Sequence, residues 1–402
     1  MITHETDVCI VGAGPAGMVC GLLLAELGIR VIVIEGHSDF EREYRGEVLM
    51  PRFLQTMRQV KFFDFILAYP HLKLQGFELY VKSRRVAEIG IREISKEAPF
   101  ILWMAQPVML NAFYEKAKKS PGFQLLFGTS MIDLVYDGER VNGIRASSQG
   151  EPVEIRAKIT VGADGRSSVV RKKGGFELEY QDHDFDIIWF TIPKPPSYDN
   201  KVRAFFSDKH NYLALPKYPR HVQCGIIVET GAYAAYRSQG IESLKTELLS
   251  AHPMLREFAE GLKDFSPFNV LAAKAERVKA WARDGLVLIG DAAHTCSPAG
   301  AVGVSVAVAT AVVAADVIAD ALEAKDFSKN ILGRVQALRE KEVKEIQYIQ
   351  SRVSRIISAR GRFEKAAAFA TLILLAKTRI FSNIQRRLMV SRGPLPVRRW
   401  RG

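Results

Sequence analysis

One loop near the N-terminus has the composition and spacing needed to bind a dinucleotide. Residues 12–17 read Gly-Ala-Gly-Pro-Ala-Gly and lie between an apolar strand, 8–11, and an apolar helix, 18–28. In such a loop the first glycine permits a tight turn, the second lets a pyrophosphate approach the backbone, and the third lets the helix pack on the strand. The sequence therefore predicts phosphate contacts at the start of this helix. The residues predicted to make them are Gly12, Gly14, Pro15, Ala16 and Gly17.

An acidic residue, Glu35, ends the next apolar strand, 31–34, so that strand, helix and strand complete a βαβ unit. We expect its carboxylate to accept hydrogen bonds from the ribose hydroxyls of an adenosine. A carboxylate in this place disfavours a 2′-phosphate, so this unit is not expected to bind NADP. The alternative is a chance glycine loop with no ligand.

A second group of residues follows the apolar strand 286–289. Asp291 comes directly after that strand, where a carboxylate can accept hydrogen bonds from cofactor hydroxyls. A loop without bulky side chains then leads into a helix near Val304, and the free backbone N–H groups at its start can stabilise negative charge on a reduced cofactor. The residues predicted to line the cofactor there are Pro298, Gly300, Ala301, Val302, Gly303, Val304 and Ser305.

A third motif, the polar turn 162–168 (Gly-Ala-Asp-Gly-Arg-Ser-Ser), follows the strand 159–161. With three motifs in this order, the chain resembles the group A flavoprotein monooxygenases, the p-hydroxybenzoate hydroxylase-like family, over residues 5–330. The resemblance implies that all three motifs hold one FAD, with Asp291 at the ribityl chain. It also implies FAD contacts from Asp164 and Gly165. The residues implied in docking NADH or NADPH are Asp164, Arg166 and Ser168.

The same resemblance implies two further flavin contacts. Arg45 matches an arginine that borders the isoalloxazine ring and helps it swing between buried and exposed positions, although a solvated charged loop is the alternative. Gln106 matches a glutamine near the ribityl chain. Arg45 and Pro298 are the flavin-adjacent residues on which catalysis is expected to depend, with no side-chain acid or base assigned.

The chain departs from the family at the loop after Asp291. Where relatives read Gly-Gly-x-Gly-x-Asn, residues 300–305 read Gly-Ala-Val-Gly-Val-Ser, and Thr310 replaces the usual Asp. Because Ser305 is shorter than Asn and makes fewer contacts, we expect the grip on the flavin or the position of its ring to differ. His294, beside this loop, is expected to be a hydrogen-bonded strut and not a base.

The implied reaction needs little from side chains. NAD(P)H reduces the flavin, O2 adds at C4a, and the resulting flavin C4a-hydroperoxide hydroxylates a small aromatic, apolar or otherwise electron-rich molecule, while the protein supplies a dry cavity. Substrate contacts are expected from the sheet of residues 179–271 and from the segments 45–55 and 210–225. The alternative for each aromatic candidate is core packing, and the candidates are Trp189, Phe190, Phe205, Phe206 and Tyr212.

Two alternatives remain open at this stage. A flavin-dependent halogenase shares the fold, and residues 189–193 (Trp-Phe-Thr-Ile-Pro) echo the end of its motif but lack the second tryptophan. Halogenases also take reduced flavin from a partner, whereas Asp164-Gly165 favours reduction in place. The other alternative is a flavin-binding oxidase or ligand-sequestering protein without productive oxygen transfer, which the altered loop keeps possible.

The elements that position these motifs predict an α/β fold. We expect a Rossmann-type, glutathione reductase-like FAD-binding domain with an inserted β-sheet substrate domain and a C-terminal helical region. The predicted FAD-binding domain is discontinuous, covering 1–75, 99–178 and 272–330. The predicted substrate domain comprises 76–98 and 179–271, and residues 331–402 form the basic helical region.

The net charge of +12 lies almost entirely in that C-terminal region, where residues 331–402 hold 17 Lys+Arg and 4 Asp+Glu. Since the remaining chain is near neutral, no nucleic-acid partner is expected. The four cysteines show no metal-site spacing, so no metal is predicted and free buried thiols in a reducing compartment are expected. Residues 1–7 do not have the basic and apolar pattern of a leader segment, so a cytoplasmic location is expected.

The apolar run 366–376 is too short to span a membrane, because 11 helical residues reach about 17 Å against about 30 Å of hydrocarbon. A stripe on the continued helix suggests two roles for residues 361–402. One is a helix that packs on the FAD domain, and the other is peripheral contact with an anionic membrane. The stripe consists of Ile373, Ile380, Phe381, Ile384 and Leu388.

Overall fold

The computed structural model describes residues 2–41, 47–82, 84–207, 211–359, 361–376 and 378–400. The strands are β1 (Ile2–Val11), β2 (Val31–Ile34), β3 (Val48–Leu49), β4 (Leu72–Leu74), β5 (Gly76–Val81), β6 (Arg84–Gly90), β7 (Ile101–Trp103), β8 (Phe123–Leu126), β9 (Thr129–Asp137), β10 (Arg140–Ser148), β11 (Glu151–Gly162), β12 (Leu178–Pro193), β13 (Lys201–Phe206), β14 (Asn211–Lys217), β15 (His221–Val228), β16 (Asn269–Val278), β17 (Ala282–Arg283), β18 (Leu286–Leu288) and β19 (His294–Thr295). The helices are α1 (Pro15–Glu26), α2 (Pro51–Gln59), α3 (Phe63–Leu67), α4 (Ile91–Ile94), α5 (Gln106–Ala117), α6 (Val169–Lys173), α7 (Ala232–Gln239), α8 (Ile241–Ala251), α9 (Arg256–Glu260), α10 (Gly303–Ala324), α11 (Lys329–Leu332), α12 (Arg334–Ile357), α13 (Gly361–Ala376) and α14 (Arg379–Met389).

The first sheet places three of the predicted motifs at one edge. Its strands run in the order β17-β18-β11-β1-β2-β8, with β1 parallel to both β2 and β11. The strands of this region are apolar on both faces, as expected for a parallel sheet covered by helices. Because the carboxyl ends of parallel strands meet at one edge, the glycine loop, Glu35 and the turn after β11 lie close together. The predicted α/β class is confirmed.

The second sheet has the order β19-β16-β12-β15-β14-β13-β5-β6 and is mostly antiparallel. Side chains alternate along β12, so that Phe190 packs outward with α8 and α9, while Trp189 faces the first domain. A Cβ at residue 225 would lie 2.6 Å from the Trp189 ring, so Gly225 lets the indole lie flat on the sheet. The predicted domain boundary at residue 272 falls inside β16, a single strand of this sheet.

Helix α10 runs through the core of the first domain. It has the length and hydropathy of a membrane span, but 94% of its apolar 18-residue stretch is buried inside the protein, so it is a core helix. Among the described helices, Gly361–Ala376 and Ile380–Met389 reach the length and hydropathy of a membrane span only when the two are taken together. The four cysteines are free and buried, as predicted: Cys9, Cys20, Cys224 and Cys296.

The C-terminal segment returns to the first domain and is anchored by polar contacts. The Gln59 amide donates to the carbonyls of Leu395 and Trp400 at 3.0 and 3.1 Å, and its oxygen accepts from the Leu395 N–H at 2.7 Å. Arg399 donates to Asp316 at 3.1 Å and to Asp320 at 2.7 Å, both on α10. The region therefore packs on the body of the protein.

The predicted apolar stripe is divided between packing and solvent. Leu388 is buried, Phe381 and Ile384 are partly buried against the main core, and Ile380 and Ile373 are exposed. On α13, Phe369 and Leu372 pack against β5 and β13, while Phe363 and Leu374 point to solvent with 92% and 68% exposure. The stripe is thus packed on the first domain at Phe381, Ile384 and Leu388 and is exposed at Ile373 and Ile380.

We predict that Arg399→Ala lowers the free energy of unfolding by about 3 kcal/mol, because buried Asp316 loses its arginine partner and buried Asp320 loses one of three. The matched control, Arg398→Ala, removes a neighbouring arginine whose side chain is 58% exposed and should cost at most about 1 kcal/mol. Urea denaturation of both variants checks this. Equal losses in the two variants would show that the anchor does not lie at Arg399.

Candidate functional site

The glycine loop has the geometry that its sequence predicts. Gly12 has φ +103°, and a Cβ there would lie 2.6 Å from the Ala163 carbonyl oxygen. A Cβ at Gly17 would overlap the Gly12 carbonyl, so both positions require glycine. In contrast, a Cβ at Gly14 would meet nothing within 4 Å, and α1 begins there without a side-chain cap. The space beside Gly14 is therefore open at the start of α1, where backbone N–H groups are suited to binding a pyrophosphate.

Glu35 lies beside this loop and is buried. One carboxylate oxygen accepts from the Ala13 N–H at 3.0 Å, and the other is 3.1 Å from the His37 N–H and 2.7 Å from its Nδ1. These contacts fix the carboxylate at the end of β2, next to the start of α1. Glu35, the predicted ribose acceptor, therefore lies beside the glycine loop that is predicted to bind the phosphates.

The Asp164 carboxylate is directed into its own turn. It accepts from Ser168 Oγ at 2.5 Å and from the N–H groups of Val169 and Val170 at 2.6 and 3.0 Å, and so caps α6. Burial raises the pKa of the Asp164 carboxyl, while these three hydrogen bonds oppose that shift. Gly165 completes the turn with φ +78°. Asp164 and Ser168 thus build the turn, and Arg166 is the member that reaches outward.

Arg166 joins two of the sequence motifs. Its Nε donates to Asp291 Oδ2 at 3.3 Å and its Nη1 donates to the Ala272 carbonyl at 3.2 Å. Both the Arg166 and Asp291 side chains are about one-third exposed. Asp291 therefore keeps access to a ligand while the arginine holds it in place, which suits a carboxylate that binds ribityl hydroxyls.

The loop before α10 is tight and has an unusual backbone. Gly300 has φ +82° and Ala301 has φ +49°, the left-handed region that disfavours a side chain. Ala301 stands where the family has its second glycine, so this chain accepts strain there. Helix α10 begins without a side-chain cap, and Ser305, fully buried, has a hydroxyl without a partner in the described part of the chain. Free N–H groups and this hydroxyl fit the polar edge of a flavin ring.

His294 and Thr310 form a buried pair behind this loop. Thr310 Oγ1 donates to the Val306 carbonyl at 3.0 Å and lies 2.9 Å from His294 Nε2, so the imidazole is the donor in that bond. Burial lowers the pKa of His294 to about 3, which keeps the ring neutral. The placement matches the expected strut, and Thr310 is its partner in the position where relatives carry Asp.

The segment that contains Arg45 lies outside the described residues. Gln106 begins α5 after β7 and is buried. One polar pair was not predicted from the sequence. Glu47 Oε2 lies 3.5 Å from Lys217 Nζ, and this nitrogen also lies 5.9 Å from the Trp103 ring centre. Burial raises the pKa of the Glu47 carboxyl, and Lys217 opposes that shift. No local pattern signals this pair, because Lys217 comes from β14 of the second sheet.

The aromatic candidates divide between the two faces of the second sheet. Trp189 faces the first domain, whereas Phe190, Phe205 and Tyr212 pack outward beneath helices, and Phe206 lies under α13. Trp189 is therefore the one candidate of the five that contacts the main core. Within the described ranges, no group of three or more His, Cys, Asp or Glu side chains could hold a metal ion.

Comparison with known proteins finds relatives along nearly the whole chain. A family model described as an FAD binding domain matches residues 5–332. The 6-methylpretetramide 4-monooxygenase of Streptomyces rimosus is 31% identical over 399 residues, covering 98% of this chain and 94% of that protein. Among solved structures, p-nitrophenol 4-monooxygenase PnpA from Pseudomonas putida DLL-E4 has a TM-score of 0.79 at 20% identity, covering 98% of this chain and 100% of that one.

A flavin-dependent brominase, Bmp2, has a TM-score of 0.73 at 19% identity, covering 96% of this chain and 94% of that chain. At such identities the two solved structures share only the fold with this chain. The fold alone therefore does not separate hydroxylation from halogenation, and the full-length relative carries that distinction.

We predict that Asp291→Ala raises the dissociation constant of FAD roughly ten- to hundredfold, because a charge-assisted hydrogen bond contributes about 1.5–3 kcal/mol. Fluorescence titration of the apoprotein with FAD measures this. Asp264→Ala, an exposed aspartate of the second domain, is the control and should leave FAD affinity unchanged. An unchanged dissociation constant in Asp291→Ala would falsify the assigned contact.

Proposed function

The chain belongs to the group A FAD-dependent monooxygenases, and we propose that it hydroxylates an aromatic substrate similar to 6-methylpretetramide. Its FAD-binding domain covers residues 5–332. The protein uses FAD, with NAD(P)H as reductant and O2 as co-substrate. The observation that carries the proposed substrate class is the similarity to the Streptomyces rimosus monooxygenase over 98% of the chain.

The residues of the first domain fit FAD at three places. Bound FAD supplies the redox chemistry that joins NAD(P)H oxidation to the activation of O2. We propose that the N–H groups at the start of α1 hold the pyrophosphate and that Asp291, oriented by Arg166, holds the ribityl chain. The uncapped start of α10 then places partial positive charge where the reduced ring becomes negative.

We propose that the substrate lies between the inner face of the second sheet and the first domain. Trp189, Leu215 and Ile227 on that face are apolar and pack with the main core, which supports a site from which water is excluded. The Glu47–Lys217 pair lies where β14 approaches β3. Such a pair could orient the polar substituents of an aromatic ring, a role that the sequence did not suggest.

We propose that NAD(P)H docks at the turn after β11. Arg166 supports it, because its guanidinium is partly exposed and carries a positive charge next to the cofactor site. Asp164 contributes indirectly by fixing the turn. On the basis of the family resemblance, we also propose that Arg45 borders the flavin ring.

Halogenation is the less supported alternative. The shared fold with the brominase Bmp2 is its support. Against it, this chain carries Trp189 without the second tryptophan of the halogenase motif, and the full-length relative is named as a monooxygenase. An oxidase that releases only peroxide is distinguished by the coupling between NAD(P)H consumption and product.

We predict that 6-methylpretetramide accelerates NAD(P)H oxidation by the holoenzyme and is converted to a hydroxylated product in an amount close to the NAD(P)H consumed. The small phenol p-nitrophenol is the comparison compound and should stimulate oxidation less. Spectrophotometry with product analysis by mass spectrometry measures both. Peroxide in place of product would indicate an oxidase, and a halogenated product formed only with added halide would indicate the halogenase alternative.

We also propose that the uncovered face of α13 makes peripheral contact with an anionic membrane. Phe363 and Leu374 on that face are exposed, and the surrounding region is strongly basic, which supports the proposal. We expect vesicles with acidic lipid to float the protein at low salt and to release it at high salt. The double variant Phe363→Ser with Leu374→Ser should lose flotation, whereas Leu338→Ser, an exposed leucine of α12, should keep it. Absence of flotation by the wild type leaves the region with its packing role alone.

A further inference from the structure

Helix α12 presents two glutamines to the segment before α10, residues 295–302, which we name the cofactor loop. Gln347 and Gln350 lie three residues apart, so they share one face of the helix. Their side chains are 2% and 0% exposed, in a helix whose opposite face is charged. Because a buried amide must find acceptors for its N–H groups, the hydrogen bonds of these two residues constrain the backbone that accepts them.

The two amides bind alternate carbonyls of one backbone segment. Gln350 Nε2 donates to the carbonyls of Ser297 and Ala299, each at 2.7 Å. Gln347 Nε2 donates to the carbonyl of Thr295 at 3.0 Å and also to that of Glu276 at 3.0 Å. Residues 295, 297 and 299 therefore all direct their carbonyls toward α12.

The orientation of each amide is fixed by its partners. Arg277 Nη1 donates to Gln347 Oε1, so the amide nitrogen of Gln347 must face the carbonyls. Gln350 contacts two acceptors with one group, which only its NH2 can satisfy. Each NH2 group thus has both of its hydrogens engaged by backbone oxygens.

The segment so held is the one that precedes the strained part of the cofactor loop. Gly300 and Ala301, both with positive φ, follow directly after Ala299. A strained backbone persists only where the surrounding structure fixes it. On the other side, a Cβ at Gly300 would touch Leu388 of α14 at 3.3 Å, so C-terminal helices contact the loop from two directions.

We propose that Gln347 and Gln350 are positioning residues for the flavin. By holding the carbonyls of residues 295, 297 and 299 on α12, they leave backbone N–H groups to face the flavin ring at the start of α10. Without these donors the carbonyls are free to turn toward the ring and oppose negative charge on the reduced flavin. The inference rests on FAD binding and does not depend on which substrate is hydroxylated.

The test replaces Gln350 by Met, which has similar volume and no amide donors. We expect Gln350→Met to bind FAD roughly tenfold more weakly, to shift the visible absorption of bound FAD, and to lower its reduction potential. Fluorescence titration and spectroelectrochemistry measure these quantities without substrate. Gln347→Met is the second variant and is expected to shift the same quantities in the same direction.

The matched control is Gln336→Met, on the same helix. Gln336 also bonds backbone groups, the Lys279 carbonyl and the Trp281 N–H, but it does not contact the cofactor loop. We expect the control to leave the reduction potential and the flavin spectrum unchanged. The proposal is overturned if Gln350→Met keeps the wild-type potential and spectrum, or if the control shifts both by the same amount. Should Gln350→Met fail to fold, the same criteria applied to Gln347→Met decide.

Discussion

The proposed flavin site depends on the backbone of the loop before α10, which carries no bulky side chain at residues 299–303 and leads into a helix start without a side-chain cap. Gly300 and Ala301 in this loop lie in the left-handed region, which is costly for alanine. The strain is opposed by hydrogen bonds from α12 and by packing against α14. We propose that these contacts hold the loop in place before the flavin binds, which is the arrangement that electrostatic stabilisation requires.

The C-terminal region is consequently part of the site's support. Arg52 of α2, itself buried, donates to the carbonyls of Arg387, Leu388 and Val390 and also pairs with Glu342. This contact caps the carboxyl end of α14, where a positive charge is favourable. Because Arg399 is also paired, part of the basicity of the region serves internal contacts, and the charge count alone overstated its solvated share.

The sequence predicted the positions in the fold of those candidate residues that directly follow a strand. The glycine loop, Glu35 and Asp291 each follow a short apolar strand, so their places at the sheet edge could be inferred from strand endings. The inward direction of the Asp164 side chain was not predicted, because a capping aspartate and an exposed one have the same sequence. Gln350 and Lys217 were missed for another reason: each reaches the site from an element distant in the chain, and no periodic pattern identifies its partner. Alternation along β12 fixed that Trp189 and Phe190 face opposite ways, but not which of them faces the first domain.

We conclude that the protein transfers one atom of dioxygen to an aromatic ring by means of bound FAD. The most direct measurement is a turnover with isotopically labelled O2, NAD(P)H and 6-methylpretetramide, followed by mass spectrometry of the product. The account predicts that one labelled oxygen atom appears in the hydroxylated product, and that labelled water in place of labelled O2 gives no incorporation. Oxygen derived from water, or NAD(P)H consumption with peroxide and no hydroxylated product, would contradict it.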